Sequence, residues 1–258
     1  MIEVKELTKS FEGRSVIRDI NVVFETGMTN LIIGRSGSGK TVLLKNIIGL
    51  VTPEHGDIIY DGRTISGMSK NDILALRREM GLLFQGSALF DSMTVLENVM
   101  FPLDMFSDNY VRDRRKRAMM CLDRVALSKE TYDLYPSEIS GGMMKRAAIA
   151  RAIVLQPKYL FCDEPNSGLD PKTSLIIDEL IHGITKEYGM TTIINTHDMN
   201  SVMNIGESIV FINEGIKEWN GTKEQVISSN NKALNDFIFA SDLLRKAKEI
   251  EEEAQREG

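Results

Sequence analysis

The sequence is short of cysteine, of basic excess and of long apolar runs, and each shortage excludes something. Cys121 and Cys162 are its two cysteines, far apart and set in apolar text. They offer no metal-ligand spacing and no disulfide framework, and read as two buried thiols in a reducing compartment. The net charge is -6, from 31 basic and 37 acidic residues, so no basic excess invites a nucleic-acid partner. No apolar run approaches the ~18 residues that can cross a bilayer. The opening "MIEVKELTKSF" carries acids where a signal peptide needs an apolar stretch, so none is expected. A role at a membrane would therefore take its span from another chain. Internal repeats and low-complexity linkers are also missing.

What is there is the balance of a globular protein: 258 residues, 42% apolar and 26% charged, ample for a real core. "IEVKELTKSF" and "SVIRDINVVF" alternate and are rich in Val, Ile and Phe, which predicts strands, as do "GDIIYDG" and "MGLLFQG". From Thr94 to about Ala126 the pattern turns helical. "YLFCD", "TTIINT" and "SIVFIN" follow as short strand-like runs separated by helical text, the order of parallel strands with crossover helices. At the end, Leu243, Ala247, Ile250 and Ala254 fall on one face of a helix. That stripe is expected to dock on this domain or on a second subunit.

The chemistry is concentrated in "IIGRSGSGKT". Gly34, Gly39, Lys40 and Thr41 fit G-x-x-x-x-G-K-[ST], with a strand before and a helix after. Glycines let the loop wrap so that successive N–H groups point inward as an anion nest, and the following helix adds its positive end. Lys40 can reach β- and γ-phosphates, and the Thr41 hydroxyl can ligate Mg²⁺. "YLFCDEP" brings Asp163 to the carboxyl end of a strand, where it can hold Mg²⁺. Glu164 follows and can polarise an attacking water. A lone Asp-Glu would be a solvated turn; the phosphate loop changes that reading. Ser140, Gly141 and Gly142 open a second helix with bare amides, either a second phosphate site or an ordinary cap. His197 follows "TTIIN" and on its own could simply start a helix.

Taken in register, Gly34–Thr41, Gln85, "SGGM" at Ser140–Met143, "YLFCDEP", "SGLD" at Ser167–Asp170 and His197 resemble ATP-binding cassette (ABC) proteins over residues 1–228. The resemblance implies an α/β P-loop ATPase: a RecA-like core, an N-terminal antiparallel β-subdomain, a helical subdomain at about residues 86–155, and a C-terminal helical extension at 229–258. It implies ATP and Mg²⁺ as cofactors, and two copies paired head to tail. Each ATP would lie between Gly34, Arg35, Ser36, Gly37, Ser38, Gly39, Lys40 and Thr41 of one copy and Ser140–Gly142 of the other. Phe11 would stack on adenine beside Val16. Gln85 would contact Mg²⁺ together with Thr41 and Asp163, and Asp170 would cross the dimer interface. Glu164, His197 and Lys40 would be catalytic, His197 through the γ-phosphate. Ile139 and Met143 stand where Leu and Gln are usual, and Asn166 where Thr is common, a change with no evident chemical consequence. His55 and His182 read as surface residues.

"FQGSALFDSMTVLENVMFPL" and "SGGMMKRAAIARAI" closely resemble the ATPase of Mla-type lipid transporters, which work with MCE-domain proteins and a separate permease. That resemblance implies a lipid cargo and a place on the cytoplasmic face of the inner membrane, held through the permease. Leu89, Phe90, Met93, Val95 and Leu96 are expected to offer the permease an apolar surface, shared with the insertion's own small core. The rival readings are the ATPase of another ABC importer, a non-transport ABC protein acting on DNA or ribosomes, and a nucleotide-binding regulator without turnover.

Overall fold

The computed structural model describes residues 1–107 and 109–239. The chain opens with β1 (Ile2–Phe11) and β2 (Arg14–Phe24), which pair antiparallel. β4 (His55–Tyr60) pairs with the other edge of β1, and the short β5 (Arg63–Thr64) completes a four-stranded antiparallel sheet. Its apolar positions Ile2, Val4, Leu7, Ile17 and Ile20 point inward while polar neighbours face out, the alternation of a sheet wet on one side.

The second sheet has six strands in the order β10-β9-β3-β8-β7-β6. They are β3 (Thr29–Ile33), β6 (Met80–Leu83), β7 (Tyr159–Asp163), β8 (Thr191–Thr196), β9 (Ser208–Asn213) and β10 (Ile216–Gly221). Five run parallel; β10 folds back antiparallel on β9. Every residue of β3 and β8 is buried, as expected of strands covered on both faces. Successive side chains point to opposite faces, so each strand feeds two cores. Leu31, Ile33, Leu160, Cys162, Ile194, Ile209 and Phe211 join the first core. Ile32, Tyr159, Phe161, Ile193, Val210 and Ile212 join the second, with the antiparallel sheet and helix α1 (Lys40–Ile47). Both cysteines are buried and free.

Helix α2 (Lys70–Arg78) leads into β6. Between β6 and β7 lie α3 (Val95–Phe106), α4 (Val111–Arg124) and α5 (Gly141–Ile153), packed into the first core. Thr94 and Glu97 form a reciprocal capping box that starts α3. Buried Asn98 pins the loop before it, donating to the carbonyls of Phe90, Met93 and Thr94 and accepting from the Phe90 N–H. After β7 come α6 (Pro171–Tyr188) and α7 (Met199–Ile205), and after β10 come α8 (Lys223–Ile227) and α9 (Lys232–Ile238).

Two expectations change. Val95 and Leu96 do not belong to an exposed patch; the capping turn rotates both into the core, while Phe90 stays 42% exposed. His182 is only half-exposed, because its Nδ1 lies 3.0 Å from the Thr29 hydroxyl on a buried strand, beside Glu207. His55 is exposed, as expected. The stripe at Leu243, Ala247, Ile250 and Ala254 lies outside the described residues.

Candidate functional site

Four chemistry-bearing segments converge at the carboxyl ends of neighbouring strands. The glycine loop leaves β3, Gln85 follows β6, Asp163 and Glu164 end β7, and His197 follows β8. Open parallel sheets bind ligands at this edge. Val16, Arg35, Lys40, Thr41, Gln85, Glu164 and His197 line one cleft of about 630 Å³.

The loop has the shape its glycines permit. Gly34 takes φ +151°, and a Cβ there would sit 2.2 Å from the Ile212 carbonyl oxygen. Gly39, at φ +106°, forms the N-cap of α1, and neither a capping side chain nor an acid in the first turn covers that helix end. Its positive end is thus left to the cleft. The Ser38 hydroxyl is buried in the loop without a partner among the described residues. Lys40 lies across the loop, donating from Nζ to the carbonyls of Gly34 at 2.8 Å and Arg35 at 3.1 Å. Burial lowers its pKa, while the charges of Glu164 and Asp163 pull the other way.

Thr41 Oγ1 lies 3.4 Å from Asp163 Oδ1, which also accepts from Asn195 Nδ2 at 3.1 Å. Glu164 sits at φ +49°, a backbone conformation that costs a non-glycine residue roughly 1–3 kcal/mol. Its N–H donates to the Asn195 carbonyl at 3.0 Å, and its carbonyl accepts from Ser167 N at 3.2 Å. This holds the carboxylate 2.9 Å from His197 Nδ1. The Asp198 side chain caps α7 by accepting from Asn200 N, so His197 precedes the helix and stands free of the cap. Gln85 donates to Ser167 Oγ at 3.0 Å, and its carbonyl accepts from Lys145 on α5.

The other candidates lie elsewhere on the same chain. Phe11 is outside the cleft lining, 44% exposed, with the Lys9 ammonium 5.2 Å from its ring centre. Ser140 is the N-cap of α5, accepting from Met143 N, with Gly141 and Gly142 in the first turn. A Cβ at Gly142 would meet Thr173 at 2.8 Å, so this glycine lets α5 approach the start of α6. Asp170 caps α6, accepting from the N–H and hydroxyl of Thr173. Asn195 gave one signal in the sequence, a polar residue inside an apolar strand. Phe237, which also lines the cleft and stacks on Phe211 with centroids 5.4 Å apart, gave none.

The sequence pattern of the ABC transporter family matches residues 17–167, more than half of the chain. The chain belongs to the ABC transporter family. It is an ATP-binding cassette and an ATPase. The chain is 36% identical over 92% of its length to the probable ribonucleotide transport ATP-binding protein mkl of Mycobacterium leprae, covering 68% of that protein. Identity is also 36%, over 92% of the chain and 90% of the relative, to the intermembrane phospholipid transport system ATP-binding protein MlaF of Haemophilus influenzae. The L-cystine import ATP-binding protein TcyC of Bacillus subtilis is 37% identical over 89% of the chain and 93% of that protein. Among solved structures, a dimeric post-hydrolysis cassette bound to ADP and Pi superposes with a TM-score of 0.79 at 31% identity, covering 86% of this chain and 99% of that one.

Proposed function

We propose that this cassette hydrolyses ATP to drive a transporter whose cargo is phospholipid or a related lipid. It would work as a head-to-tail pair on a separate permease with an MCE-domain protein, at the cytoplasmic face of the inner membrane. Among the described residues no helix is long and apolar enough to cross a membrane. The observation that carries the chemistry is the convergence of Lys40, Thr41, Asp163, Glu164 and His197 on one strand edge.

In the proposed reaction the loop amides and Lys40 bind the triphosphate and stabilise charge developing on the γ-phosphoryl oxygens. Lys40 exchanges its bonds to the Gly34 and Arg35 carbonyls for phosphate oxygens. Glu164 orients the attacking water, and His197, fixed against Glu164, contacts the γ-phosphate. Phe11 and Val16 are the adenine side of the site. Oxygen ligands from one carboxylate and one hydroxyl, completed by phosphate, suit Mg²⁺; Thr41, Asp163 and Gln85 would hold it, and Thr41 Oγ1 and Asp163 Oδ1 already lie close together. Bound there, it would neutralise phosphate charge. Ser140–Gly142 and Asp170 lie outside the phosphate cleft of their own chain. That separation supports a lid supplied by the second copy, and the dimeric relative supports pairing.

The lipid cargo is supported by the likeness to MlaF, while TcyC keeps an amino-acid importer as the second reading. Purification from the native membrane tests between them. A co-purifying permease with an MCE-domain chain and bound phospholipid is the expected result. A solute-binding protein with an amino-acid permease would overturn the lipid assignment and leave the ATPase in place.

A further inference from the structure

We infer that Asn166 is a positioning residue for ATP hydrolysis, tying the loop that carries Glu164 to the helix that follows His197 through a buried carboxylate, Asp178. Asn166 lies two positions after Glu164, in the turn that also holds Ser167 and leads to Asp170. Its Nδ2 donates to Asp178 Oδ1 on α6 at 2.7 Å and to Ser201 Oγ on α7 at 3.1 Å. Asp178 and Ser201 are each only 1% exposed. One amide thus joins three elements: the loop after β7, the middle of α6 and the first turns of α7.

The chemistry of the link fixes its direction. An ionised carboxylate only accepts hydrogen bonds, so the amide must turn its NH₂ toward Asp178. It does so although its own Oδ1 is left buried without a partner among the described residues. A buried carboxyl depends on hydrogen-bond donors, and among the described residues Ser201 and Asn166 are the side chains that hydrogen-bond Asp178 and offset the burial that raises its pKa. Losing the amide would remove the side-chain link from the turn after Glu164 to α6 and α7.

Above this link the geometry is demanding. Glu164 holds a left-handed backbone and meets His197 at 2.9 Å. The backbone bonds of the turn are short-range, Ser167 N to the Glu164 carbonyl and Leu169 N to the Asn166 carbonyl, with Glu164 N bound to the Asn195 carbonyl of β8. None of these reaches α7. A cleft of about 530 Å³ bordered by Glu164, Asn166, Asp178 and His197 leaves the turn room to shift once the amide is gone. None of the three linked side chains lines the phosphate cleft, so the link acts on the placement of Glu164 and His197 and leaves nucleotide binding to the glycine loop.

This inference rests on the proposed roles of Glu164 and His197, and the test separates the two. Nucleotide Kd, KM, kcat and melting temperature are measured on the full chain for Asn166→Ala, Asn166→Thr, Ser201→Ala and Glu164→Gln. The expected result for Asn166→Ala is a fall in kcat of roughly ten- to a hundredfold, the scale of misplaced catalytic groups, with KM and Kd within about twofold. Asn166→Thr, whose hydroxyl can still donate to Asp178, recovers most of the turnover. Ser201→Ala loses less than Asn166→Ala. A folded Asn166→Ala with wild-type kcat, or with KM changing in step, overturns the inference. If that variant does not fold, wild-type kcat in Ser201→Ala, which removes the partner on α7, supports a purely structural link and overturns it equally. Normal turnover in Glu164→Gln would instead sink the underlying assignment.

Discussion

In the proposed reaction, Lys40 and Glu164 would separate binding from chemistry at the level of single side chains. Lys40 is the cation that spans the glycine loop, so Lys40→Ala is expected to lose nucleotide binding by at least about tenfold, an ion-pair-scale loss, as read by titration with a fluorescent ATP analogue. Glu164→Gln keeps the shape of the side chain and removes its charge; binding should persist while phosphate release stops. Asp178 makes a different prediction. Burial pushes its pKa up to about 6. A carboxyl whose folded pKa is raised above its unfolded value weakens the fold as pH rises through that interval, because the unfolded chain gives up the proton first. Asp178→Asn should therefore raise the melting temperature at pH 8, by the equivalent of about 1–3 kcal/mol at most. The gain should shrink as pH falls from about 6 toward 3.8, the ordinary value, below which the carboxyl is neutral in both the folded and the unfolded chain. A gain that is the same at pH 4.5 and pH 8 would show that the carboxyl does not titrate in this range.

Elements differ in how openly the sequence declares them. β3, the loop and α1 are legible because their signals are local: an apolar run, glycines at fixed spacing, then a helical pattern. The α3 start is legible in the same way, through Thr94 and Glu97. Removing that cap with Thr94→Ala should cost about 1 kcal/mol, measured by denaturant unfolding, with little effect on ATP binding. Contacts between elements are not legible. Asn166 reads as a turn residue until α6 and α7 are packed beside it. Val95 and Leu96 read as surface until the cap fixes which way α3 rolls. Phe237 needs α9 folded back over Phe211 before it reaches the cleft.

Across the whole molecule, the parallel sheet is the frame from which every catalytic candidate projects, and the helical segment is tied to it through Gln85 and Lys145. The outer ends of the chain pose the remaining question. Deleting Leu243–Gly258 should weaken pairing or partner association while ATP binding stays intact, as read by sedimentation and nucleotide titration; unchanged assembly would argue for a merely local cover.

The placement of β3 has a consequence for biosynthesis. The strand that delivers the glycine loop emerges early from the ribosome, yet its partners on both sides are β8 and β9, with Thr29 against Thr192 and Asn30 against Ser208. Until most of the message has been translated, β3 exposes two unpaired edges, the kind of surface that invites mispairing between nascent chains. Cassette maturation is thereby tied to completion of the polypeptide, and an early stop codon yields a fragment with its glycine loop but without the strands that hold that loop in place.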